Sequence, residues 1–180
     1  MRPVSDSFLL TMAEISAGLV GLFLVGVLFY VETGFHRAAG REVVEPYIRA
    51  ATAIVLVLYA IPIGLSLTLV ALEPIWSRVL FALLSILLVA VNIQTVIHLR
   101  GLVKAGTSAV VVTNEIVSTL AVIPLLLTPW VLGGLEPTRE DLTWSILLAF
   151  ALGFLSIGAL VLSTFDIAQL EVTNQPGAEE

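Results

Sequence analysis

The sequence predicts an all-α fold, a polytopic integral membrane bundle with transmembrane helices at about 8–31, 50–72, 75–97, 111–133 and 142–165. Three observations lead there. The 180 residues are 58% hydrophobic and 12% charged, with a mean hydropathy of +1.06. A soluble domain is about 45–50% apolar and about 25% charged, so this chain has too few charges to cover itself in water. Five runs reach the roughly 20 apolar residues that cross a hydrocarbon core. The breaks between them leave no room for a soluble domain. Lipid offers the backbone no hydrogen-bond partners, so runs of this length must bond within themselves as helices. A β-barrel would instead show alternating segments of about ten residues.

The first span, "FLLTMAEISAGLVGLFLVGVLFYV", carries Glu14. Glu14, Ala17, Gly18, Gly21 and Val25 recur at helical spacing, and small residues on one face let helix backbones approach closely in lipid. Ala17, Gly18 and Gly21 are therefore expected to form a packing seam, within the bundle or between copies, with Glu14 turned toward packed protein. The seventeen residues 15–31 are apolar or small and nearly suffice to cross by themselves, which puts Glu14 in the outer third of the span. Desolvation there favours a paired or protonated carboxyl.

In the second span Thr52, Tyr59 and Ser66 lie seven residues apart, with Pro62 on the same side. The third repeats that interval with Arg78, Ser85 and Asn92, followed by Gln94 and Thr95. In the fourth, Glu115, Ser118 and Thr119 share a face, and Thr113 or Asn114 stands ready to cap the helix so that Glu115 complements its first turn. Unpaired polar groups facing hydrocarbon are costly, so these stripes are expected to face protein or water. Pro62, Pro124 and Pro129 each remove a backbone donor and free the carbonyl four residues earlier. The fifth span repeats the small-residue pattern with Ser145, Ala149, Gly153 and Ser156, making Ala149 and Gly153 a second candidate seam.

Residues 1–165 form a single membrane domain, and residues 166–180, with Asp166, Glu171, Glu179 and Glu180 but no Lys or Arg, read as an acidic flexible tail. Only Arg2 precedes the first run as a basic residue, and that run exceeds a signal-peptide core, so a retained span is expected rather than a cleaved leader. The first loop, residues 32–46, is long enough for a short interfacial helix. Five basic residues (Arg37, Arg41, Arg49, Arg100, Lys104) fall on the side of the first and third loops, against three (Arg2, Arg78, Arg139) on the other. The positive-inside rule then places the N-terminus outside and the C-terminus in the cytoplasm. Trp76, Trp130 and Trp144 lie near the outer ends, where indoles favour the headgroup level.

The chain has no cysteine and two histidines, His36 and His98, each read as an interfacial side chain. No metal site and no cofactor are expected. No sequence signature of nucleophilic, zinc-protease or nucleotide chemistry is present, and no basic cluster is available to hold nucleic acid. The expected class is not an enzyme. The leading expectation is an oligomeric channel or transporter-like protein for protons or small ions, with a polar intramembrane path. Its candidate site residues are Glu14, Asn92, Gln94, Glu115 and Ser118. The rival is a non-transporting scaffold, assembly partner or membrane effector subunit. Expected partners are the lipid bilayer, a second copy of the chain, and a protein contacting the first or third loop (residues 98–109).

Overall fold

The computed structural model describes residues 4–34, 41–104 and 109–173. Its secondary structure is entirely helical: α1 (Asp6–Gly34), α2 (Arg41–Ala71), α3 (Pro74–Lys104), α4 (Ala109–Gly133) and α5 (Arg139–Thr173). Asp6–Phe29, Ala51–Ala71, Pro74–Gln94 and Arg139–Gly158 are long and apolar enough to cross a bilayer. Among the described residues the apolar stretch of α4, Thr119–Gly133, is shorter.

Helix ends follow local chemistry. Ser5 Oγ accepts a hydrogen bond from the Phe8 N–H at 3.3 Å and caps α1. Pro74 opens α3 at the first helical position, where its missing N–H costs nothing, and the α2–α3 turn is reduced to Leu72 and Glu73. α4 closes on Gly134, whose φ of 63° provides the left-handed cap, while its N–H bonds the Trp130 carbonyl at 3.0 Å. Thr138 precedes α5, and its N–H and Oγ1 donate to Asp141 Oδ2 at 2.8 and 2.7 Å. That is the reach-back half of a capping box.

α2 is the central helix. It packs against α1, α3 and α5, while α4 packs on α5 and more lightly on α3. Half of the α2 apolar window is buried, against 17% for α3. One continuous core runs through Leu9 and Met12 of α1, Leu58, Ile61 and Leu65 of α2, Phe81 and Leu88 of α3, Leu125 of α4 and Ile146 of α5. The outward faces are as apolar as the core: Leu22, Leu28, Ile86, Val131, Phe154 and Leu155 are all exposed. Contiguous apolar surface on this scale is untenable in water and natural in hydrocarbon, so the chain is a multi-pass membrane protein.

Two boundaries differ from expectation. Residues 41–50 continue α2 as one helix of 31 residues rather than forming a separate interfacial helix. α5 runs through residue 166 to Thr173, so helix covers the beginning of the acidic tail, and residues 174–180 lie outside the described residues. At 1.5 Å per residue α2 and α5 extend for about 46 and 52 Å, beyond the roughly 30 Å of a hydrocarbon core.

Candidate functional site

The end of the bundle where α1 begins is tied together by two arginines. Arg139, the first residue of α5, pairs with Asp6, the first residue of α1. Arg78 of α3 donates through Nε to the Pro137 carbonyl at 3.3 Å and lies 4.0 Å from Glu136. Three helices and the α4–α5 turn are thus held level with one another. Trp76, Trp130 and Trp144, all exposed, ring the same end.

Those ties set the depth of Glu14. It lies eight residues beyond Asp6, about 12 Å along the helix axis. Its side chain is exposed on the outside of the single chain, so of the two expected seams, within the bundle or between copies, the first is not formed here. Ala17, Gly18 and Gly21 share that exposure, and a Cβ placed at Gly18 or Gly21 would meet nothing within 4 Å. α1 instead packs through Leu9, Met12, Ala13, Ser16 and Phe23. The reason is that α1 is apolar all round, so its small-residue stripe and its bulky stripe repeat at the same helical period. The bulky stripe meets α2. The small stripe is left unpartnered.

The candidate seam on α5 sits elsewhere. Ala149 and Gly153 are buried, and a Cβ at Gly153 would lie 2.9 Å from Cε2 of Tyr59. Gly153 therefore admits the fully buried Tyr59 ring of α2, which also meets Phe150 edge-on with centroids 6.1 Å apart. Gly64 plays a similar part for α3, where Leu80 would come within 3.0 Å of an added Cβ.

Two polar contacts inside the bundle bond helix to helix. Pro129 cannot donate to the Leu125 carbonyl four residues back. Ser145 of α5 fills the vacancy, donating its hydroxyl to that carbonyl at 2.9 Å. Asn92 of α3 is buried and accepts from Thr119 of α4 at 3.1 Å through Oδ1. The pair lies in a small cleft of about 10 Å³ that Leu58, Val122, Leu152 and Ser156 also line. Six buried hydroxyls, those of Ser16, Thr52, Tyr59, Ser66, Ser77 and Ser85, have no hydrogen-bond partner among the described residues.

The candidate ion-site residues are not assembled around one point. Glu14 is outside on α1, Asn92 is interior on α3, and Gln94 is exposed two residues further along α3. The side chains of Glu115, Ser118 and Thr95 lie outside the described residues. Sequence reasoning missed the Ser145–Leu125 link and the Arg78 and Arg139 ties. The first had a usable signal, because Pro129 marks the orphaned carbonyl by counting back four. No protein-family model, curated protein or solved structure matches the chain.

Proposed function

We propose that this protein is a non-transporting membrane assembly subunit, which joins a second copy of itself through the Glu14–Ala17–Gly18–Gly21 face of α1. One observation carries the reading: a carboxylate and two glycines share an exposed face within the first span, and nothing among the described residues covers the glycines. An ionised side chain at the centre of a span costs about 2.5–3.5 kcal/mol on insertion scales, less toward an interface. A second copy relieves that cost by covering Glu14 with protein and supplying a polar partner that hydrocarbon does not. Small residues at Gly18 and Gly21 allow the close backbone approach that such a contact needs. The continuous Leu/Ile/Val core of the single chain also favours assembly over conduction through one subunit.

The test is the mass of the protein in nanodiscs or by native mass spectrometry. A dimer or larger assembly is expected, reduced to monomer by Gly21→Leu. A monomeric wild-type protein across the accessible concentration range contradicts the proposal.

A second reading retains conduction of protons or small ions, along the seam between copies and with Glu14 as its acid. The same exposed carboxylate favours it, since an intramembrane acid marks ion or proton routes. Proteoliposome flux separates the two readings. Proton or ion flux lost in Glu14→Gln supports conduction, whereas absence of flux from an intact oligomer supports the assembly subunit. With N-out orientation, Glu14 sits toward the outer leaflet.

A further inference from the structure

A second feature is independent of the α1 face. Four helices converge on the cleft beside Asn92: Leu58 from α2, Asn92 from α3, Thr119 and Val122 from α4, and Leu152 and Ser156 from α5. We propose that this cleft is a binding site for one water molecule, held by Asn92, Thr119 and Ser156 and linking α3, α4 and α5 inside the membrane.

The size is right for water and for little else. The cleft measures about 10 Å³, close to the roughly 10–15 Å³ that a single water needs, and far below the hundreds of Å³ of an organic-ligand pocket. An apolar void of this size stays dry, but a polar one fills when two to four partners are at hand. Asn92 is 8% exposed and uses Oδ1 to accept from Thr119. Its carboxamide also carries two N–H donors and a second lone pair. Ser156 of α5 also lines the cleft and carries a hydroxyl. Pro62 of α2 has no N–H, so the Leu58 carbonyl four residues earlier lacks its usual helical donor. The Asn92 carboxamide and the Thr119 and Ser156 hydroxyls are the polar groups in a lining that is otherwise apolar. Among the described residues no Asp, Glu, Lys, Arg or His lines it.

A map that resolves ordered waters elsewhere in the protein tests the proposal directly. The expected result is a peak within about 2.7–3.2 Å of Asn92 and of Thr119 or Ser156. An empty cleft in such a map overturns it. Stability provides the second readout. Asn92→Leu and Ser156→Ala are each expected to lower Tm by about 2–4 °C, and the double variant by clearly less than their sum, because both disrupt one water. Additive losses, or a rise in Tm for Asn92→Leu, overturn the proposal. A wild-type Tm that shifts between sodium and choline salts at equal ionic strength also overturns it, in favour of a bound cation.

Discussion

Four residues carry consequences that point mutations can measure. Ser145 satisfies the carbonyl that Pro129 orphans, and an interhelical hydrogen bond in a membrane is worth about 0.6 kcal/mol on average and about 1.7 at most. Ser145→Ala should therefore lower Tm by a few degrees at most, at about 2–4 °C per kcal/mol for a chain of this size. Pro129→Ala returns the missing N–H, so adding it should make the Ser145→Ala loss largely disappear. An equal loss in both backgrounds, read by thermal denaturation in detergent, rules the linkage out. Glycines provide the second contrast. An added methyl at Gly153 meets the Tyr59 ring at 2.9 Å, and overpacking of this kind costs about 1–3 kcal/mol. Gly153→Ala should lower the stability of the chain, whereas Gly18→Ala should leave it unchanged or slightly raised, since alanine is the better helix former. A similar loss from both would mean that α1 is covered within the chain after all.

At the scale of elements, the spans were legible and their rotation was not. Bilayer thickness dictates how long an apolar run must be, so 50–72 and 75–97 overlay α2 and α3 closely. The heptad spacing of Thr52, Tyr59 and Ser66 placed the inward face of α2 correctly, with Tyr59 and Ser66 fully buried, because polar residues on an apolar helix break its symmetry. In α1 the break, Glu14, lies on the exposed face of the single chain and did not mark the inward one. Leu9, Met12, Ser16 and Phe23 form one helical stripe, and Glu14, Ala17, Gly18 and Gly21 another. Periodicity alone does not choose between them. The ties at the ends of α1 and α5 were invisible in the sequence, since Asp6 and Arg139 are separated by 133 positions. That ion pair is partly exposed, so Asp6→Asn should cost at most about 1 kcal/mol, screened by salt. Its clearer effect should be faster hydrogen exchange in the first turns of α1, leaving α3 exchange unchanged. Unaltered exchange in α1 would remove the tie from the account.

For the molecule as a whole, composition settled the solvent and the structure locates what remains unsatisfied. A packed core around α2 accounts for the buried faces, and lipid accounts for the exposed Leu, Ile, Val and Phe. Glu14 is accounted for by neither. It sits about 12 Å along α1 from the Asp6–Arg139 pair, on a face with no covering side chains at Gly18 or Gly21. The cysteine-free sequence makes that face directly testable. Gly18→Cys would give the protein its sole thiol, and Leu83→Cys on the exposed face of α3 serves as the control. Assembly through α1 predicts that oxidation in native membranes yields a disulfide-linked dimer from Gly18→Cys and little from Leu83→Cys. Monomer from both, or equal crosslinking of the two, would contradict α1 as the surface through which this protein assembles.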